Sequence, residues 1–142
     1  MTNSLHSKSV VERYLTAVAA GDLDAMRASF AEDATWWLRG ELPISGTWRG
    51  RDTILDDFFG TAMRYYEAGS VSIEVTSVLA DGDDVAVEWT SRARTAGGEP
   101  YENHCAAWFH VRDGQIQSVR EYMDTRYAAD VAFGAERAVS RT

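Results

Sequence analysis

An α+β domain, with helices first and an antiparallel meander of strands after them, is the fold class that this sequence predicts. Three observations predict it. Apolar residues recur with helical period only in the first half of the chain. The second half alternates apolar and polar residues, as strands with one buried face do. The breaks between those strands are short turns, Asp81-Gly82 and Asp113-Gly114 among them, and short turns join antiparallel neighbours. Helices followed by a meander place the helices on one side of a single curved sheet.

Each element follows from its residues. Ser9-Val-Val-Glu12 has the spacing of a capping box, and Val11, Tyr14, Leu15 and Val18 then continue with helical period. Gly21 stops that helix and Asp22 caps a second, which buries Leu23, Met26 and Phe30. Ala34 to Leu38, aromatic and β-branched, reads as a strand. Arg39 to Gly50, with Pro43 and three glycines, reads as a loop. Asp52 is placed to cap a third helix that carries Ile54, Leu55, Phe58, Ala62 and Met63 on or near its buried face.

Four strands follow. The first sets Val71, Ile73, Val75 and Leu79 on one face, against Ser72, Glu74 and Thr76. The second sets Val85, Val87, Trp89 and Ser91 against Ala86, Glu88, Thr90, Arg92 and Arg94. In the third, Tyr101 to Val111, the odd residues Tyr101, Asn103, Cys105, Ala107, Phe109 and Val111 are the more apolar and face inward. His104 and His110 then point away. In the fourth, Ile116 to Asp124, both faces are mixed. Arg120, Tyr122 and Asp124 on one face make sense if that face lines a polar cavity, because buried charge is costly unless paired. An alanine-rich tail from Thr125 reads as a short helix.

The bulk properties narrow the function. One domain of ordinary size accounts for all 142 residues. A net charge of −8 disfavours nucleic acid and anionic membrane as partners, since both need a basic surface. The single cysteine, Cys105, rules out an intrachain disulfide and suits a reducing cytoplasm. No signal peptide, membrane span, zinc-spaced Cys/His set, phosphate loop or nucleophile elbow is present. No metal and no cofactor are expected.

The order of elements, Phe30-Ala-Glu-Asp-Ala-Thr-Trp36, and Tyr101-x-Asn103 followed by Phe109-x-Val-Arg-Asp-Gly-Gln-Ile-Gln-Ser-Val-Arg-Glu-Tyr-Met-Asp-Thr125 resemble the nuclear transport factor 2-like fold. Within it they resemble the SnoaL-like, ketosteroid isomerase-related group. The resemblance covers about residues 8–127, leaving a tail at 128–142. It implies a cone-like, mostly antiparallel sheet wrapped around helices, with an internal pocket, and pairing of two copies through the outer sheet face. In SnoaL-type polyketide cyclases and limonene epoxide hydrolases, an aspartate near the end of the last strand does acid/base work, and Asp124 stands at the matching place. The epoxide hydrolases add an arginine and a second aspartate where this chain has Trp89 and Ser91. Their water-holding tyrosine and asparagine fall near Trp36 and Leu38. Ketosteroid isomerases carry their base near Leu38 too. Only Asp124 matches.

The expected site therefore has Asp124 as acid/base, with Tyr101 and Asn103 holding a substrate oxygen as oxyanion donors do. Tyr14, Trp36, Trp89, Ser91, Phe109 and Tyr122 are expected to line the pocket. The expected activity is cofactor-independent proton transfer, of isomerase, cyclase or dehydratase type, on a hydrophobic oxygenated molecule such as a polyketide or steroid. A binding module without chemistry, an epoxide hydrolase with a diverged site, and an association domain that pairs through Trp108 are the alternatives.

Overall fold

The computed structural model describes residues 2–134; the end of the expected tail lies outside the described residues. Helix α1 (Thr2–Ala20) and α2 (Leu23–Ala28) are followed by β1 (Phe30–Leu38) and β2 (Gly46–Arg49). A π-helical segment, Thr53–Phe58, runs into α3 (Phe59–Met63). Strands β3 (Ser72–Asp81), β4 (Asp84–Arg94), β5 (Pro100–Arg112) and β6 (Gln115–Met123) form the meander. Helix α4 (Thr125–Ala128) and a second π-helical segment, Ala129–Phe133, close the described chain. Among the described residues no helix is long and apolar enough to cross a membrane.

One curved, unclosed sheet runs in the order β2-β1-β6-β5-β4-β3. All its neighbours are antiparallel except β1 and β6, which run parallel. Asp113 and Gly114 both take positive φ, 53° and 77°, which is what a two-residue hairpin turn between twisted strands requires. Helix α1 lies across the inner face of β3 to β6 and buries Val10, Val11, Tyr14 and Ala17 there.

Several expectations are corrected. Leu23, expected to be buried, is 63% exposed, and Phe30 is buried from the start of β1 rather than from the second helix. The first helix begins well before Ser9, which sits exposed in mid-helix; the added turns reach the β3–β4 turn, where Ser4 Oγ accepts a hydrogen bond from the Gly82 amide. The loop from Arg39 to Gly50 contains strand β2, four residues pairing with β1, too short to show a period. Asp52 makes no cap bond; its carboxylate is paired with Arg27, which also binds Asp56 at 2.8 Å. Leu79 points to solvent, 69% exposed, because a bulge between Val75 and Ser77 reverses the side-chain alternation of β3. Val78 and Ala80 turn inward in its place.

A second bulge, where the β5–β6 register shifts between His110 and Val111, explains why both faces of the last strand read as mixed. Ile116 is buried, and beyond the bulge the buried residues are Val119 and Glu121. Arg120, Tyr122 and Asp124 are exposed, so the face expected to line a cavity is the outer one. The odd residues of β5 are buried from Tyr101 to Val111, as expected.

Candidate functional site

Along β4 and β5 the inward side chains change character from one end to the other. Val85, Val87, Phe109 and Val111 fill the space under α1. Past them stand Trp89, Ser91 and Ala93 on β4 and Cys105 on β5. The small residues among these cannot reach the helices, and a cavity of about 480 Å³ remains. Its walls carry the rings of Tyr14, Trp36, Phe58, Phe59, Trp89 and Phe109. Trp36 is the hub of the cluster, with ring centroids 5.2 Å from Phe59, 5.4 Å from Phe58 and 6.3 Å from Phe109.

Among the described residues one charged side chain lines this cavity: Glu121, 8% exposed. Strand pairing places it between Leu38 of β1 and Ala107 of β5. The Trp36 indole Nε1 donates to its Oε1 at 3.0 Å. No cation pairs with it among the described residues. Burial in apolar surroundings disfavours the charged form, and the Trp36 hydrogen bond offsets this only in part. The carboxyl is held at about 7, the range in which a carboxyl group exchanges protons at neutral pH.

Phenols face it. Tyr101 Oη accepts a hydrogen bond from Asn103 Nδ2 at 2.9 Å and is hydrogen bonded to Tyr66. Tyr66 and Tyr101 both line the cavity, as does Tyr14. Burial holds all three above the ordinary phenol value, so each keeps its proton. The Cys105 thiol is pushed up to about 12 by burial and then by Glu121, which leaves it an inert lining group. Among the described residues no cluster of His, Cys, Asp or Glu is placed to hold a metal.

A family model described as the SnoaL-like domain matches residues 11–119. This chain belongs to the SnoaL-like domain family. Solved structures agree with the fold. A nuclear transport factor 2-like protein from Burkholderia xenovorans is 25% identical, with a TM-score of 0.75 over 92% of this chain and 98% of that one. A protein from a soil-derived mobile gene cassette is 24% identical, with a TM-score of 0.80 over 93% and 99%. An epoxide hydrolase of M. tuberculosis is 22% identical, with a TM-score of 0.69 over 87% and 86%; at that identity the likeness shows the fold alone.

The SnoaL-like domain brings most of the expected residues to the cavity. Tyr14, Trp36, Trp89, Ser91, Tyr101 and Phe109 line it. Asn103 is fully buried behind Tyr101, and its Oδ1 accepts the Asp124 amide at 3.2 Å while its Nδ2 also reaches the Asp124 carbonyl at 3.1 Å. It anchors the chain where β6 ends. Tyr122 stands on the outer face, 5.6 Å from the Trp37 ring. Asp124 is the main correction. Its exposed carboxylate accepts from the Tyr127 amide at 3.0 Å and caps α4, so it is turned away from the cavity. His104 and His110 sit outside as well, bonded to Thr90 and Asp84.

Glu121 was missed because the Asp113-Gly114 turn alone does not reveal the bulge. A usable signal was nonetheless present: with Val119 and Met123 facing inward, Glu121 is the one acid on an apolar face. Replacing Asp124 by alanine is expected to cost about 1 kcal/mol in urea unfolding, the ordinary cost of a lost helix cap, and to leave ligand binding in the cavity unchanged.

Proposed function

We propose that this SnoaL-like domain is a cofactor-independent acid/base catalyst that moves a proton on a hydrophobic, oxygenated small molecule of polyketide- or steroid-like character. The reaction class is isomerisation, cyclisation or dehydration. The observation that carries the reading is Glu121: a buried carboxyl without a cationic partner among the described residues, lining an apolar cavity and held at about 7. Such a group accepts a proton from carbon next to a carbonyl and returns it elsewhere without a prohibitive penalty in either state.

The phenols supply the complementary half. The Tyr101 oxygen accepts from Asn103, and with Tyr66 bonded to it as well its own proton is left to donate toward a substrate oxygen. Charge that develops on that oxygen is met by a donor already in place. The aromatic walls suit a flat ring system. Trp36 ties the two halves together, since its indole fixes the carboxylate while its ring forms the wall.

A panel of polycyclic ketones incubated in deuterated water tests the reading. Exchange of α-hydrogens by the wild-type domain, absent in Glu121→Gln, is the expected result; exchange that survives the substitution removes it. Trp36→Phe is expected to move the acid limb of the pH–rate profile upward, because the indole hydrogen bond favours the ionised carboxylate. The homodimer that the sequence suggests is proposed on the outer sheet face, where Trp108 and Tyr122 are exposed.

A further inference from the structure

We infer that the cavity also takes a second class of ligand, organic cations with an apolar body, such as quaternary or protonated tertiary amines, with the ammonium seated against Glu121. The inference rests on the reading that this cavity is the functional site, but it requires no catalysis.

Three observations carry it. The first is the charge of the walls. Among the described residues Glu121 is their one charged residue, and no lysine, arginine or histidine lines the cavity. An anionic ligand would therefore meet only a carboxylate, while a cationic one would meet its counter-charge. The second is the state of that carboxylate. It is buried, Oε1 is held by Trp36, and Oε2 has no hydrogen-bond partner among the described residues. A buried carboxylate without a counter-ion is the group most improved by an arriving cation, because its desolvation has already been incurred on folding. The third is the aromatic lining. Rings of Tyr14, Trp36, Phe58, Phe59, Tyr66 and Trp89 surround the space, and aromatic faces attract ammonium groups that have left water.

The groups that face Glu121 leave it free to respond. Tyr14 of α1, Tyr66 beyond α3 and Cys105 of β5 stay protonated, since burial raises them all. Trp36 of β1 is a donor only. Glu121 is thus the one group near the ligand that changes charge around neutrality. Seating a fixed cation beside it favours the carboxylate, so below neutrality binding must expel the carboxyl proton.

That proton separates a true ion pair from mere apolar binding. The probes are (4-(hydroxymethyl)phenyl)trimethylammonium and 4-tert-butylbenzyl alcohol, which share a shape and differ in charge. Titration calorimetry on the full chain at pH 8 is expected to show the cation bound at least about tenfold more tightly than the alcohol. At pH 6, in buffers of different ionisation heat, the cation should release close to one proton and the alcohol none. Glu121→Gln keeps the shape of the side chain and should abolish both the preference and the release. Equal affinity of the two probes, no proton release at pH 6, or a preference that survives in Glu121→Gln overturns the inference. Ketone exchange that depends on Glu121 would in that case still stand, so the two readings fail separately.

Discussion

Glu121→Gln is expected to lose turnover by about 10²- to 10⁴-fold, the usual worth of a positioned acid/base group, while the folded protein becomes more stable. The two effects share one cause. In the folded chain the carboxyl is held at about 7, against an ordinary 4.5. The folded state therefore keeps a proton that the unfolded chain has given up between those values, and stability falls as pH rises from about 4.5 through 7. Above 7 the loss is complete and amounts to about 3 kcal/mol. Glutamine accepts the same Trp36 hydrogen bond and carries no charge to desolvate. The variant should match the wild type near pH 4.5 and exceed it by up to about 3 kcal/mol at pH 8 in urea unfolding. A site whose removal stabilises the fold is what a functional, rather than structural, buried acid looks like.

Tyr101→Phe is the second large expected effect. It removes the hydroxyl that accepts from Asn103 and is bonded to Tyr66, and with it the donor proposed for the substrate oxygen. Loss of one donor to a developing oxyanion costs about 10²- to 10³-fold in kcat. The contact strengthens as charge develops, so KM should change little. Asn103 keeps its bonds to the Asp124 backbone, but two hydrogen bonds are lost, so the cost in stability should be about 1–3 kcal/mol. Steady-state kinetics on any ketone found in the exchange screen reads both quantities. An equal rise in KM with kcat unchanged would make Tyr101 a binding group only.

Much of this was legible in the sequence, and what was not has a physical reason. The meander, the parity of β5 and the inward face of β4 follow from period-two alternation, which every residue of a regular strand reports. Alternation fails at an inserted residue, and the bulges in β3 and β6 are why Leu79 was expected inside and why the inward face of the last strand stayed undecided. The π-helical segment Thr53–Phe58 keeps Ile54, Leu55 and Phe58 buried as a regular helix would, so its burial was legible but its winding was not. Strand β2 escaped because it is short and follows a proline. Asp124 stands where the family resemblance implied an acid, yet position along a strand does not fix direction; its backbone has already turned to start α4. The close approach of that turn to the loop after β1 was invisible too. Gly40, at φ 107°, has no room for a Cβ, which would lie 2.8 Å from the Thr125 methyl. That contact links residues far apart in the chain.

Glu121 lines an apolar cavity with no counter-charge among the described residues, and its own titration reports on that setting. Carbon-13 spectra of the glutamate side-chain carboxyls, assigned to Glu121 by comparison with Glu121→Gln, would be followed from pH 3 to pH 9. A midpoint near 7 is predicted. A midpoint near the ordinary 4.5 would mean that water or a counter-charge reaches the carboxylate, and Glu121 would then not be the acid/base group.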